Sequence, residues 1–317
     1  MRTRLARWML ACVIGLSFSP ARAVAQGDAW LTLNSAGVAA FERGDYGEAE
    51  LRFEDAARAA EPFGRGDPRW AASLNNLAAV YRQQGRSKDA ELLYWHALAG
   101  AETSHGSEHA WAADMLVHLG ELYHELGRLA EAEPVFVRAL GIYEEALGPD
   151  DSKVAAGLNN LGALYHDQGR YEEAERAHVR ALAIREKAHG PDSLEVAQSR
   201  NNLAMVQRGR GRLGEAEALL RQALAGLATS LGKDHPYVGI SLNNLGEVES
   251  EQGRHESAAA TYARALAVLE TAVGPRHAYV ARALENRARA LRATGRAAEA
   301  EEMEARAHAI RGDTAAD

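Results

Sequence analysis

One sequence block returns at a nearly constant interval along this chain of 317 residues, and it constrains the fold more than any other feature. Successive copies of the block start 41 residues apart once and 42 residues apart five times. The seven starts are Leu33, Leu74, Leu116, Leu158, Arg200, Leu242 and Leu284. Eleven residues after each start stands a glycine, namely Gly44, Gly85, Gly127, Gly169, Gly211, Gly253 and Gly295. A glycine in this setting is typical of the left-handed residue that ends a helix, so we predict that one helix ends at each of them.

Two alanines recur later in every copy, sixteen and twenty-three residues after the block start. In the first copy they are Ala49 and Ala56, and in the last they are Ala300 and Ala307. A separation of seven residues places them on one face of a second helix, where their small size lets a neighbouring helix approach. A single pair of helices cannot bury its apolar face alone. The repeat therefore predicts an all-α solenoid of seven stacked helix-turn-helix units.

The predicted solenoid covers residues 28–311, and its repeats start near residues 28, 68, 109, 151, 193, 235 and 277. The last repeat carries Arg287 where five of the others carry leucine, which is typical of a polar end cap. We expect residues 312–317 to form a disordered tail.

The first 25 residues have a different character from the repeats. They contain, in order, Arg2, Arg4, Arg7, an apolar run from Trp8 to Phe18, and the triplet Ala23-Val24-Ala25 before Gln26. This order predicts a bacterial secretory signal peptide that is cleaved near Ala25 and Gln26, and hence a periplasmic or secreted protein. Two alternatives stay open. One is a short membrane anchor, although a span needs about 20 apolar residues, and the other is a lipoprotein signal at Cys12.

Charge and cysteine content exclude several classes of function for the mature chain. Four of the 36 basic residues lie in the first 25 residues, so 32 remain against 44 acidic residues, a net charge of −12. General binding of nucleic acid is therefore not expected. Because Cys12 is the only cysteine, a disulfide framework is excluded from the mature chain.

The repeated residues resemble the tetratricopeptide repeat in its long, 42-residue form, as found in kinesin light chains and many bacterial proteins. The stretch L-N-N-L-G-A-L-Y-H-D-Q-G-R-Y-E-E-A-E from Leu158 to Glu175 carries this resemblance, and so does the linker from Gly232 to Pro236. The resemblance implies a right-handed superhelix in which the first helix of each repeat lines a concave groove that binds peptides or protein segments.

Helical spacing predicts that residues one and eight positions after each block start face the open side of the first helix. In the family, asparagines at the first of these places bond the backbone of a bound peptide, and the resemblance carries this role to Asn75, Asn159, Asn201 and Asn243. The alternative is that they bond water or the backbone of the next repeat. The second asparagine of the block, represented by Asn76, Asn160 and Asn202, is expected to tie helices together.

Eight positions after the block start stands a row of basic residues, which are Arg82, His124, His166, Arg208 and Arg292. A groove lined by this row would suit an acidic peptide. The alternative is a solvated helix end that is neutralised by acidic neighbours such as Glu125 and Glu251. If the groove is basic, reversing the charge of Arg82 and Arg208 weakens partner binding.

Other motifs give no sign of chemistry. The run from His105 to His109 matches H-x-x-E-H, a zinc-peptidase motif, but Gly106 breaks the helix that such a motif requires. The sequence contains no phosphate-binding loop, dinucleotide fingerprint or nucleophile elbow. We therefore expect no enzyme activity, no cofactor, no metal and no small-molecule substrate. The predicted function is an adaptor that binds a protein or peptide, with membrane contact only through partners, and the alternative is a structural subunit that associates through the solenoid ends or convex face.

Overall fold

A computed structural model describes residues 26–314 of this protein, and these residues fold almost entirely into α-helices. The fourteen helices of this part are α1 (Gln26–Arg43), α2 (Tyr46–Ala60), α3 (Pro68–Gln83), α4 (Ser87–His105), α5 (Ala110–Glu125), α6 (Leu129–Leu147), α7 (Ser152–Asp167), α8 (Tyr171–His189), α9 (Leu194–Gly209), α10 (Leu213–Ser230), α11 (Pro236–Glu251), α12 (His255–Val273), α13 (Ala278–Ala293) and α14 (Ala297–Thr314). A 3₁₀ turn (Glu61–Phe63) follows α2. The described residues contain no β-strand.

The helices pair into seven hairpins, which we number 1 to 7 in chain order, each with an odd-numbered first helix and an even-numbered second helix. Within each of the two units into which the chain divides, the second helix of one hairpin packs against the first helix of the next, as α4 does against α5 and α10 against α11. The predicted all-α solenoid of seven helix-turn-helix units is thereby confirmed. The chain divides at Gly157 and Leu158 into an N-terminal unit and a C-terminal unit, each compact in itself.

The turn inside each hairpin depends on glycine. All seven predicted turn glycines have positive φ, between 71° and 79°, which confirms the predicted helix ends. At Gly127, for example, the glycine N–H donates to the carbonyl of His124 and the following Arg128 N–H donates to the carbonyl of Tyr123. These bonds use carbonyls that the end of a helix would leave without partners. A side chain at this position would strain the backbone without adding a contact.

Within each hairpin the two helices approach closely because small residues face large ones. The two alanines of every repeat are buried, and thirteen of these fourteen residues have no exposed surface. On the first helix, the residue four positions after the block start is Gly or Ala, and a large side chain of the second helix lies against it. A Cβ added to Gly120 would lie 2.6 Å from Phe136, and one added to Gly162 would lie 2.6 Å from His178. The predicted close packing by small residues is confirmed.

The chain ends differ from the sequence prediction or lie outside the description. Helix α14 continues to Thr314, so residues 312–314 are helical where we expected a disordered tail. The predicted signal peptide, residues 1–25, and residues 315–317 lie outside the described residues. Among the described residues, no helix is both long and apolar enough to cross a membrane.

The predicted polar end cap falls on hairpin 7. Arg287 is half-buried on α13, and its Nη1 lies 3.9 Å from the sulfur of Met303 on α14. The guanidinium thus lies beside Met303, at the contact between the last two helices. Five other hairpins have a leucine at this repeat position.

Candidate functional site

Asparagines connect successive first helices through their side chains. In each pair, the second asparagine of one hairpin donates its Nδ2 to the Oδ1 of the first asparagine in the hairpin before it. The four pairs are Asn76 to Asn34 at 2.9 Å, Asn202 to Asn159 at 2.8 Å, Asn244 to Asn201 at 3.1 Å and Asn286 to Asn243 at 3.0 Å. Where the pattern breaks in hairpin 3, Nδ1 of His118 donates to Asn75 at 2.7 Å. The expectation that the second asparagine ties helices together is confirmed for Asn76, Asn202, Asn244 and Asn286, and for Asn160 it stays a prediction.

These bonds change the interpretation of the four asparagines predicted to contact peptide. Asn75 is 3% exposed and Asn243 is 1% exposed, so the expectation that they face the open side is wrong. Asn243 also donates to Glu247, which occupies both of its polar atoms. Asn159 and Asn201 are half-buried, and each already accepts one bond through Oδ1. A peptide contact by these two residues stays a prediction.

We expect the triple variant Asn159→Ala, Asn201→Ala and Asn243→Ala to lose stability. Asn159→Ala and Asn201→Ala leave the half-buried Nδ2 of Asn202 and of Asn244 without an acceptor, whereas Asn286 keeps its bond to Glu247 when Asn243 is replaced. A buried donor left unpaired costs about 1–3 kcal/mol, and half-buried donors lie at the lower end of this range. Thermal unfolding followed by circular dichroism should show a clearly lower melting temperature. The matched control is Asn160→Ala, at a half-buried second asparagine. If the triple variant melts like the wild type, these bonds hold nothing together.

Two arginines of the predicted basic row, Arg82 and Arg208, are neutralised by the next hairpin, and Arg292 pairs with Glu304 of its own hairpin. Arg82 donates to Glu121 at 2.9 Å and to Glu125 at 2.7 Å, and these glutamates lie 39 and 43 residues further along the chain. Burial by itself lowers the pKa of Arg82, but the hydrogen bond to Glu125 and the charges of both glutamates outweigh it, and the net effect raises that pKa above its usual range. The guanidinium is therefore held charged and paired.

Arg208 repeats the same arrangement in the C-terminal unit. It donates to Glu251 at 2.7 Å and also to Glu247, again 43 and 39 residues further along. The alternative that acidic neighbours neutralise the row is thus confirmed for Arg82 and Arg208. Reversing either charge would place a carboxylate against two others, so the loss of binding that we expected from it would not by itself reveal a binding site.

The two histidines of the row, His124 and His166, lie near the ends of their helices. His124 is half-buried near the end of α5. His166 lies near the end of α7, with Nδ1 3.1 Å from a carboxylate oxygen of Asp167 and the ring edge-on to Tyr171 at 5.6 Å between centroids.

A cleft of about 520 Å³ opens along the first helices of the C-terminal unit, and we call it the C-terminal cleft. Its lining residues are His166, Tyr171, Met205, Arg208, Gly209, Ile240, Asn244, Glu247, Glu251, Tyr279 and Arg282. They come from α7, α9, α11 and α13, with Tyr171 from the start of α8. Of the residues predicted to bind a peptide, the cleft brings together His166 and Arg208. Asn159, Asn201 and Asn243 belong to the same unit but do not line it.

One glycine shapes the cleft at the end where His166 lies. A Cβ on Gly209 would come within 2.5 Å of the Tyr171 ring, so any other residue here would push the ring away. Because glycine is present, the Tyr171 ring lies close to α9 and beside His166. This part of the cleft is therefore partly apolar.

At the other end, Tyr279 and Arg282 come from the first turns of α13. The centre of the Arg282 guanidinium lies 5.7 Å from the centroid of the Tyr279 ring. Burial raises the pKa of the Tyr279 hydroxyl, so this phenol stays neutral at physiological pH. Sequence reasoning missed both residues because they precede the block start. A comparison of the repeats two residues before that start would have found Arg282, since the other six copies carry Leu31, Ala72, Asp114, Ala156, Gln198 and Ile240 there.

The H-x-x-E-H run has a structural role at His109. Its Nδ1 accepts from the backbone N–H of Trp111 at 3.2 Å and caps the start of α5. Gly106 has φ of 93° and separates His105 in α4 from His109. Within the part of the chain that the structure describes, no three His, Cys, Asp or Glu side chains are grouped as metal ligands.

Solved structures of other helical repeat proteins are similar to this chain. BtubC (BKLC) from P. vanneervenii has 23% identity and a TM-score of 0.58 over 74% of this chain and 91% of its own. A tetratricopeptide repeat protein from Parabacteroides merdae has 21% identity and a TM-score of 0.62 over 90% and 94%. PilW, a type IV pilus biogenesis factor, has 21% identity and a TM-score of 0.56 over 75% and 92%. At these identities the likeness concerns the fold.

A sequence search among curated proteins found no significant match. The family model described as tetratricopeptide repeat, however, matches residues 70–145, 111–186, 153–229, 227–271 and 237–313. These matches cover well over half of the chain. Together with the seven stacked hairpins, they establish that the chain belongs to the tetratricopeptide repeat family, whose members are scaffolds for protein interactions.

Proposed function

We propose that the protein is an adaptor that holds an extended segment of a partner protein in the C-terminal cleft. The observation that carries this proposal is the cleft itself, which crosses the first helices of four successive hairpins. Its volume of about 520 Å³ lies in the range of sites that enclose several side chains. Because the lining comes from four hairpins, an elongated ligand contacts more of it than a compact one.

The chemistry of the residues that line the cleft also supports a peptide ligand. Tyr171, Met205 and Tyr279 offer apolar surface, and aromatic side chains of this kind dominate the energetics of protein interfaces. Asn244 and the charged residues offer hydrogen bonds to a peptide. Since Arg208 is paired with two glutamates, the cleft carries both signs of charge, which differs from a basic groove, one of the two interpretations of the sequence.

We propose further that the cleft is not catalytic and needs no cofactor. The lining contains no Ser, Thr, Cys or Lys that could act as a nucleophile. Its one histidine, His166, faces Asp167, which does not line the cleft.

A photoreactive amino acid in the cleft tests the proposal. p-Benzoylphenylalanine in place of Tyr279 reports on the cleft, and the same residue in place of Arg264, which is exposed on α12, is the matched control. On irradiation in an extract of the source organism, we expect a defined protein to be captured from position 279 and absent from position 264. Equal capture at both positions, or none at 279, would contradict binding in the cleft.

A second candidate function rests on a different surface. Besides Leu147 at the end of α6, the second helices of the N-terminal unit expose four large apolar side chains, which we call the outer apolar face: Leu51 at 57%, Leu92 at 56%, Trp95 at 44% and Val137 at 49% exposed. In the repeat, Leu51 and Leu92 occupy one position and Trp95 and Val137 another, three residues later. Exposed apolar side chains at repeated positions favour association with another protein, as in a structural subunit.

If this face associates, we expect the double variant Leu92→Glu and Val137→Glu to lose it. Both side chains are about half exposed, so their replacement should not affect folding. The melting temperature should change by no more than 2–4 °C, which corresponds to about 1 kcal/mol of stability for a unit of this size. Size-exclusion chromatography with light scattering measures the mass of wild type and variant. A wild type that is already monomeric at high concentration would contradict self-association through this face.

We also propose that the mature chain is exported. The support is the order of three arginines, an apolar run and Ala23-Val24-Ala25 at the start of the sequence. Expressed from its full sequence in a bacterium, the protein should appear in the periplasm with a mass that corresponds to a first residue Gln26. An uncleaved chain that starts at Met1 would contradict the proposal.

A further inference from the structure

The junction between α8 of hairpin 4 and α9 of hairpin 5 differs from the other junctions at two repeat positions. Twenty-seven residues after the block start, hairpin 4 carries Arg185 on its second helix. The residues at this position in hairpins 1, 2, 3, 5 and 6 are apolar or aromatic and buried, namely Ala60, Ala101, Tyr143, Leu227 and Leu269. At the block start, where every other hairpin has leucine, hairpin 5 carries Arg200. Two arginines thus replace a contact that is apolar at the next junction, where Leu227 and Leu242 share one cluster.

Arg200 has an anionic partner within this junction. Its Nη2 donates to a carboxylate oxygen of Glu186 on α8 at 2.7 Å, and its Nη1 donates to the carbonyl of Pro191 at 2.9 Å. Only 12% of the Arg200 side chain is exposed. The ion pair therefore compensates a guanidinium that has lost most of its contact with water.

Arg185, in contrast, bonds only to neutral acceptors among the described residues. Its Nη1 donates to Oγ of Ser199 at 2.9 Å and to the carbonyl of Glu195 at 3.2 Å, both on α9. No described residue forms an ion pair with it. Burial lowers the pKa of Arg185, and the charge of the Glu195 carboxylate offsets this only in part. Because an arginine stays protonated even so, the junction holds a half-buried charge with no anion in contact.

One edge of the Arg185 guanidinium, formed by Nε and Nη2, can still donate. Neither nitrogen donates to a described residue, and neither is among the buried polar atoms of that part of the chain that have no partner, so solvent reaches both. Elsewhere in the chain the same edge binds a carboxylate, as in Arg292 with Glu304 at 2.9 Å and 2.6 Å. An anion with two oxygens fits this edge in the same bidentate geometry.

The neighbouring carboxylates restrict the charge of such an anion. Glu186 is balanced by Arg200, which leaves Arg185 as the one cation without an anion in contact, with Glu195 nearby. A doubly charged phosphate or sulfate would bring more negative charge towards Glu195 than Arg185 can balance. A carboxylate carries a single charge, and its two oxygens match the two donors.

We propose that Arg185 binds a small carboxylate anion from solution at the junction of α8 and α9. The anion accepts from Nε and Nη2 while Nη1 keeps its bonds to α9, so the charge between the two hairpins is neutralised. The contact between hairpins 4 and 5 is therefore more stable when the anion is present. Neither Arg185 nor Arg200 lines the C-terminal cleft, so this inference is independent of the proposed function.

Nuclear magnetic resonance of the arginine side chains observes the site directly. Residues 26–317, labelled with nitrogen-15 at arginine, are titrated with sodium acetate in exchange for sodium chloride at constant ionic strength. The Nε–H signal of Arg185 is assigned by its absence from Arg185→Leu. We expect this signal to shift and to saturate with a dissociation constant of about 10 mM. The signal of Arg264, which is exposed on α12, should show no saturating shift.

Two variants test the charges that define the site. Glu195→Gln should bind acetate about threefold more tightly, because it removes the competing carboxylate. Arg264→Gln is the control and should bind acetate as the wild type does. An Arg185 signal that does not respond to acetate would overturn the site, and a larger response to sulfate than to acetate would overturn the choice of a carboxylate.

Thermal unfolding in the same buffers tests the effect on stability. Arg185→Leu should fold, since leucine occupies the equivalent position in hairpins 5 and 6 as Leu227 and Leu269. Replacing chloride by about 100 mM acetate should raise the melting temperature of the wild type by about 3–6 °C more than that of Arg185→Leu. General effects of acetate on protein stability act on both proteins and cancel in this difference. Equal gains in the two proteins would overturn the proposed stabilisation of the junction.

Discussion

Replacing Gly120 by valine should unfold the N-terminal unit at a much lower temperature than the wild type. The added Cβ would lie 2.6 Å from the ring of Phe136, a distance at which one of the two helices has to move. Phe136 is buried and has no room to retreat, because its surroundings are packed to the density of a protein interior. Overpacking of this size costs about 3 kcal/mol. Thermal and urea unfolding, followed by circular dichroism, measure the loss.

Gly141→Val is the matched control for this prediction. Gly141 lies on α6 in the same unit, is exposed, and would have no atom within 4 Å of an added Cβ. Its substitution should change stability by no more than about 1 kcal/mol.

A compensating second substitution can also be tested, because hairpin 5 combines Ala204 with Leu220 at the positions equivalent to Gly120 and Phe136, and both residues are fully buried. The pair Gly120→Ala and Phe136→Leu should therefore fold better than Gly120→Val. Equal stability of Gly120→Val and wild type would contradict the close approach of the helices.

Replacing His178 by phenylalanine should make the C-terminal unit more stable in acid. His178 is 1% exposed against Gly162, and its Nδ1 has no hydrogen-bond partner among the described residues. Burial lowers the pKa of His178 to about 4. Hairpins 1 and 3 have phenylalanine against glycine at the same position, in Phe53 against Gly37 and Phe136 against Gly120. The larger ring is therefore compatible with this packing.

The pH dependence follows from the lowered pKa. The unfolded chain takes up the proton at its usual pKa near 6.5 and the folded chain only near 4, so the stability is fully present above pH 6.5 and declines as the pH falls towards 4. The linked loss is about 2 kcal/mol at pH 5 and about 3 kcal/mol at pH 4. Melting temperatures at pH 7.5 and pH 5 should therefore differ less in His178→Phe than in the wild type.

Other histidines keep part of the acid sensitivity in both proteins. Burial lowers the pKa of His118 and of His235, and the Nδ1 of His235 must stay unprotonated to accept from the N–H of Tyr237. His96→Gln, at an exposed position of α4, is the control and should leave the pH dependence as it is. An identical fall in melting temperature for wild type and His178→Phe would show that His178 is not the group that titrates.

The helices and their turns could be predicted from the sequence because each depends on residues close together in the chain. Gly127 ends a helix through its own backbone, and Ala132 and Ala139 mark one face of the helix that follows. The period of the repeat then implied stacking. Predicting the fold therefore required no knowledge of a particular contact between hairpins.

The candidate site could be predicted only in part, because it depends on how one hairpin lies on the next. Helical spacing placed Asn243 on the open side, but the neighbouring hairpin covers that position and Asn286 bonds to it. Arg208 lines the C-terminal cleft, and its binding to a peptide stays a prediction. The sequence offered Glu251 as a neutralising neighbour, whereas the part of Glu247 becomes visible only when successive repeats are compared. A glutamate pair at the same repeat positions, Glu121 and Glu125, accompanies Arg82 and was the available signal.

The most direct test of the account is a pull-down that compares the two candidate surfaces in one experiment. Residues 26–317 serve as bait beside a cleft variant, Tyr279→Ala with Arg282→Ala, and an outer-face variant, Leu92→Glu with Val137→Glu, all checked for unchanged melting. We expect a partner that binds the wild type and the outer-face variant and is lost from the cleft variant. A partner that the cleft variant retains and the outer-face variant loses would contradict binding in the C-terminal cleft and establish the outer apolar face as the working surface.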